Sequence, residues 1–132
     1  MNKPATQPNP GHDPDHEASK AVDGNLNTFY SSGWFDNPWW RLDLGSDVQI
    51  EYMIFRGHKR AVNEKRYKDM VVRGKSAIGA HFQICKNIGN LNQVILSFSC
   101  DSNDKFRYIK IEISGSSTFL FINEFEVYVK QK

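Results

Sequence analysis

An all-β chain folded as a β-sandwich or jelly roll of about eight short strands is what this sequence predicts. One sign is strict alternation: Trp40, Leu42 and Leu44 fall on one face of W-W-R-L-D-L, and Ile109, Ile111 and Ile113 on one face of R-Y-I-K-I-E-I. Another is punctuation, since runs rich in Val, Ile, Phe and Tyr are repeatedly cut by Gly, Asn and Ser. The third is the near absence of any helical period.

Met1–Asp15 carries four prolines and reads as an exposed polar loop after a short edge strand around Pro4–Gln7. His12, Asp13, Asp15 and His16 cluster in that loop. Simple solvation is the plain account of them, and a binding role the sharper one. Glu17–Val22 has room for one helical turn, which Asp23-Gly24-Asn25 ends, because Asp and Asn side chains bond nearby backbone and Gly accepts positive φ. Trp39–Leu44 is a half-buried strand whose other face holds Trp39, Arg41 and Asp43, the last two placed to pair or to hold loop carbonyls. Further strands are expected at Val48–Phe55, Met70–Val72, Ala80–Cys85, Gln93–Ser99, Phe106–Ser114, Thr118–Phe121 and Phe125–Lys130. Phe125, Val127 and Val129 share one face of the last.

The 132 residues suffice for one two-layer core, so residues 1–132 are read as a single domain. No apolar run is long enough to be a transmembrane segment, and the N-terminus lacks the charged–apolar–small order of a signal peptide. A net charge of +2 gives no ground for nucleic acid as partner, although eight of the 17 Lys and Arg lie between Arg56 and Lys75. Two cysteines, Cys85 and Cys100, sit near the ends of strand-like runs; the even count permits a disulfide without establishing one. A bridge would point to an oxidising, extracellular or secreted setting. No Asn-x-Ser/Thr acceptor is present.

Nothing in the chain has the pattern of a catalytic centre. There is no G-x-S-x-G, H-E-x-x-H, phosphate-cradling glycine loop or C-x-x-C. His58 and His81 stand alone in sequence, and Glu124 and Glu126 alternate along one strand rather than facing each other. The D-G-N turn lacks the spacing of an EF-hand calcium loop. A binding module, not an enzyme, is expected.

Three stretches carry a family resemblance: A-S-K-A-V-D-G-N-L-N-T-F-Y at Ala18–Tyr30, N-P-W-W-R-L-D-L-G at Asn37–Gly45, and R-Y-I-K-I through N-E-F-E-V-Y within Arg107–Tyr128. Together and in this order they resemble an F-type lectin (fucolectin) domain, a relative of the discoidin or coagulation-factor C-type domains. The resemblance implies an eight-stranded jelly-roll sandwich with binding loops at one end. It also implies one structural calcium ion, with Asp23 and Glu124 as carboxylate ligands and backbone carbonyls from Lys20, Asn25, Trp34 and Asn123. Oxygen donors of this kind suit a cation that takes six to eight ligands. Cys85 and Cys100 match the positions of a family disulfide.

The family's sugar site is altered here. Its vicinal cysteine pair is replaced by Ala61 and Val62, and a further pair by Asn123 and Phe35. The loop before N-P-W-W is shortened to G-W-F-D and lacks the family histidine. His58 falls at the first family arginine, Arg60 at the aspartate, and Lys65 at the final basic position with Arg66 beside it. On this resemblance Tyr30, His58, Lys65 and Arg66 are the candidate sugar contacts, with His12 and Asp13 as outlying ones. Each donor lost from such a site costs roughly 1–3 kcal/mol when its partner is left unpaired, so fucose should bind weakly or not at all. A basic loop instead favours sulfate, carboxylate or phosphate groups, which accept charge-assisted bonds.

Two functions follow. One is a calcium-stabilised lectin domain for fucosylated or acidic glycans and glycoproteins, acting as a homo-oligomer or in tandem because single lectin sites are weak. The other is a discoidin-like adhesion module, with Trp34 and Phe35 inserting into an anionic phospholipid surface or a protein beside the basic loop. The alternative to both is that these groups are a solvated basic loop and two packing aromatics.

Overall fold

The computed structural model describes residues 5–6, 18–32, 36–116 and 118–130. Its strands are β1 (Ala5–Thr6), β2 (Tyr30–Ser31), β3 (Trp39–Val48), β4 (Ile50–Arg56), β5 (Met70–Lys75), β6 (Gln83–Gly89), β7 (Ile95–Phe98), β8 (Phe106–Glu112), β9 (Phe121–Ile122) and β10 (Glu124–Val129). A five-stranded sheet ordered β1-β3-β8-β5-β6 faces a three-stranded sheet ordered β10-β4-β7. The eight strands of these two sheets make the sandwich, and the short pair β2-β9 closes one end. Every pairing is antiparallel.

Alternation builds the core as the sequence requires. Trp40 and Leu42 of β3, Ile109 and Ile111 of β8, Met53 and Phe55 of β4, and Phe125 and Val127 of β10 all point inward and are buried. Trp40 is the hinge of the packing. Its ring meets Phe125 edge-on at 5.6 Å, and its indole N–H donates to the Ala18 carbonyl at 2.9 Å. That bond satisfies a polar group in the core and pins the one helical turn expected here, a 3₁₀ turn at Ala18–Ala21. Cys85 of β6 and Cys100, just past β7, form a disulfide that ties the two sheets together.

Several expectations shift. The strand expected from Val48 begins at Ile50, because β3 runs on to Val48 after a register break against β8 between Asp43 and Val48. The Asp43 carboxylate accepts the Gly45 N–H at that break, where Gly45 takes φ 91°. The strand expected at Ala80–Cys85 is Gln83–Gly89 instead, since the chain reaches the edge of β5 only at Gln83, opposite Gly74. Of Thr118–Phe121 only Phe121 enters a strand. Arg41 and Asp43 do not hydrogen-bond each other. Asp43 receives two bonds from Arg107, at 2.9 and 3.1 Å, while Arg41 donates to Thr6 Oγ1. An unforeseen helix, α1 (Lys59–Asn63), stands between β4 and β5; five residues are too short to show a period.

Candidate functional site

The segment joining β4 to β5 is organised by one buried side chain, Tyr67. Its hydroxyl donates to the Phe121 carbonyl at 2.5 Å and accepts the His58 N–H at 3.1 Å. Burial holds the phenol far above its ordinary range, so it remains a donor. Gly57 makes room for it, because a Cβ there would lie 3.0 Å from the Tyr67 hydroxyl and 3.1 Å from the Phe55 ring. His58 then caps α1: its Nδ1 accepts the Arg60 N–H at 3.2 Å, which leaves the ring hydrogen on Nε2. The helix closes with the Lys65 N–H donating to the Val62 carbonyl and the Arg66 N–H to the Ala61 carbonyl. This is the glycine-type helix ending, with Lys65 in the left-handed position at φ 57°.

Between α1 and the chain entering β9 lies a cleft of about 340 Å³, lined by His58, Arg60, Ala61, Glu64, Arg66, Phe119 and Phe121. One wall is aromatic. Phe121 stacks on Phe29 at 4.1 Å, meets the His58 ring at 4.6 Å, and has Phe119 edge-on at 6.2 Å. The Arg66 guanidinium lies 5.2 Å from the Phe119 ring centre. The other wall is polar: Glu64 accepts from Arg60 at 3.1 Å and Arg66 at 3.2 Å. Those bonds, Arg60's first, hold its carboxyl below the usual range and keep it an acceptor. A shallow cleft with an apolar wall, guanidinium and imidazole donors and a carboxylate acceptor has the chemistry to meet a polar ring with one apolar face.

Of the predicted sugar contacts, His58 and Arg66 line this cleft. Lys65 lines a smaller cleft beside it, so Arg66 rather than Lys65 supplies the final basic group here. Tyr30 does not reach the surface. It is fully buried, pairs with Ile122 across β2-β9, and spends its hydroxyl on the Trp39 carbonyl at 3.2 Å. The start of β2 must fill the end of the core, and the aromatic ring does that. His12, Asp13, Trp34 and Phe35 lie outside the described residues. Sequence reasoning misses Phe119 and Phe121, though a signal exists: in T-F-L-F the buried residues are Thr118 and Leu120, which leaves both phenylalanines on the outer side.

Glu124 opens β10 just behind this end and is 3% exposed. Its Oε2 accepts the Gly24 N–H at 3.1 Å, while Oε1 is buried with no hydrogen-bond partner among the described residues. Burial, with a contribution from nearby Asp23, pushes its pKa up to about 7. A buried carboxylate oxygen without a partner is costly, and a cation is the natural remedy. Asp23 shapes the turn beside it, accepting from the Asn25 N–H at 2.9 Å and from the Thr28 hydroxyl. The Asn25 carbonyl accepts both the N–H and the hydroxyl of Thr28, so it would have to share itself with a metal. Among the described residues no three His, Cys, Asp or Glu side chains gather as a metal site, so a cation here would rely on carbonyl oxygens, as hard cations do.

A family model of the F5/8 type C domain matches residues 4–125. No curated protein sequence shows a significant match. Among solved structures, a fucose-binding module of Streptococcus pneumoniae superposes with a TM-score of 0.82 at 22% identity, covering 97% of this chain and 92% of that one. A fucolectin from striped bass (Morone saxatilis) serum gives 0.82 at 24% identity, over 98% of this chain and 46% of that one. Chitosan-binding module 1 of a Paenibacillus sp. IK-5 chitosanase/glucanase gives 0.79 at 20% identity, over 97% of this chain and 96% of that one. At these identities the likeness is one of fold. With a family match running through nearly all of its strands, this chain belongs to the F5/8 type C domain family.

Proposed function

We propose that this domain is a non-catalytic, lectin-type module that binds glycans in the cleft between α1 and Phe119–Phe121, with a structural calcium ion beneath its loops. The observation that carries this reading is the cleft itself: aromatic rings on one wall, His58, Arg60 and Arg66 as donors, and Glu64 as acceptor. Sugars present the same division, an apolar C–H face and a rim of hydroxyls. Proteins of the same fold described as fucose-binding, fucolectin and chitosan-binding support the reading as an analogy of architecture. The phenylalanine wall suits the methyl group of a 6-deoxy sugar, so fucosylated glycans are the first class to test.

The calcium ion would be held by the carboxylates of Glu124 and Asp23 and by carbonyls of Lys20, Asn25, Trp34 and Asn123. It would neutralise two neighbouring carboxylates and fasten the D-G-N turn to the start of β10. The disulfide supports an oxidising, extracellular setting. Among the described residues no helix is long and apolar enough to cross a membrane.

A glycan-array screen of the purified domain with calcium tests the reading. Selective fucosylated or sulfated hits that a free monosaccharide inhibits are expected. A blank array, with binding to anionic vesicles that sugar does not inhibit, would overturn it in favour of the adhesion module.

A further inference from the structure

Beside the glycan cleft lies a second one of about 170 Å³, sharing Glu64 and Arg66 with the first and lined otherwise by Lys65, Lys68, Ser114, Gly115, Ser116 and Thr118. We propose that this second cleft binds a single oxyanion, a sulfate ester or carboxylate carried by the glycan seated in the first. The inference rests on the glycan reading of the first cleft and adds a substituent to it.

Size points to a substituent rather than a sugar ring, since sites for whole ligands run from about 300 Å³ upward. Charge gives the sign. Lys65, Arg66 and Lys68 face one carboxylate, and Glu64 is already engaged by Arg60 and Arg66. Lys65 and Lys68 are exposed, and their ammonium groups have no ion pair among the described residues. Ser114, Ser116 and Thr118 line the same cleft, and their hydroxyls are neutral groups able to donate there. An ammonium pair with hydroxyls matches the oxygens of one tetrahedral or planar anion.

The backbone supplies an independent sign. Lys65 occupies the left-handed position that ends α1, a place where glycine is the low-energy choice. Strain of this kind clusters at ligand sites, where a side chain is worth more than a relaxed backbone. A lysine there sets an ammonium group at the mouth of the cleft.

The test compares a neutral fucosylated oligosaccharide with its monosulfated ester, and adds sodium sulfate alone with amide shifts read by NMR. The sulfated glycan should bind roughly tenfold more tightly, the equivalent of one charge-assisted hydrogen bond. Lys65→Gly and Lys68→Gln should each cut that ratio toward one. Lys65→Gly should do so with an unchanged or raised Tm, which separates lost binding from lost folding. Sodium sulfate should shift the amides of Lys65–Lys68 and Ser114–Ser116. Equal affinity for the two glycans, a ratio that survives both substitutions, or sulfate shifts confined elsewhere would overturn the inference. If neutral glycans fail to bind while sulfate moves these amides, the oxyanion site stands and the lectin reading falls.

Discussion

Glu124 is the residue on which the metal question turns. Without a cation its folded-state pKa of about 7 exceeds the ordinary 4.5, so its contribution favours folding below about pH 4.5 and is lost as pH rises through 7. A bound calcium ion would reverse this by taking the charged form. The calcium-induced rise in Tm should therefore shrink as pH falls below about 7, as protons compete for the same oxygens. Glu124→Gln should raise the metal-free Tm at pH 8 and abolish the calcium response; an undiminished response in that variant would show that the ion sits elsewhere. The position of Glu124 at the start of the last strand was legible through family resemblance, but its unpartnered oxygen was not, because burial depends on what packs over it. Tyr30 failed for the same reason. A tyrosine beside a loop looks like a contact residue until Trp39 and Ile122 close over it.

The strands were legible wherever inward and outward residues alternate, as in β3, β8 and β10. Edge elements were not: β6 begins where β5 offers a partner, and its apolar run, with Ile84 half exposed, does not mark that place. Helix α1 was hidden because a cap, a left-handed ending and a tyrosine nine residues from its cap hold it, rather than an amphipathic period. Tyr67 is thus the joint between the α1 loop and β9. Tyr67→Phe leaves the Phe121 carbonyl and the His58 N–H without their buried partner, and it should cost about 1–3 kcal/mol in urea unfolding. It should also weaken glycan binding, because the two walls of the cleft are no longer fastened to each other. Unchanged stability would show that the loop is held by its other contacts. The Cys85–Cys100 bridge, spanning 15 residues, adds about 3 kcal/mol to the same scaffold by restricting the unfolded chain.

At the scale of the whole molecule, two sheets of five and three strands act as a rigid mount. They bring residues from three distant parts of the chain, Gly24–Phe29, Gly57–Arg66 and Thr118–Glu124, to one end. That convergence is why the fold could be read from alternation while the aromatic wall could not. Phe29, His58 and Phe121 become neighbours only when the sandwich is closed. A competing polar cleft of about 250 Å³, lined by Lys75, His81, Gln83, Asp104 and Lys105, gives the central claim a rival within the same molecule. The deciding measurement is an NMR amide-shift map of the domain, with calcium, titrated with the strongest ligand from the glycan array. Saturable shifts clustered on Gly57–Arg66 and Thr118–Ile122 are predicted. Shifts clustered on Gly74–Gln83 and Asp104–Phe106, with the first region silent, would contradict the account.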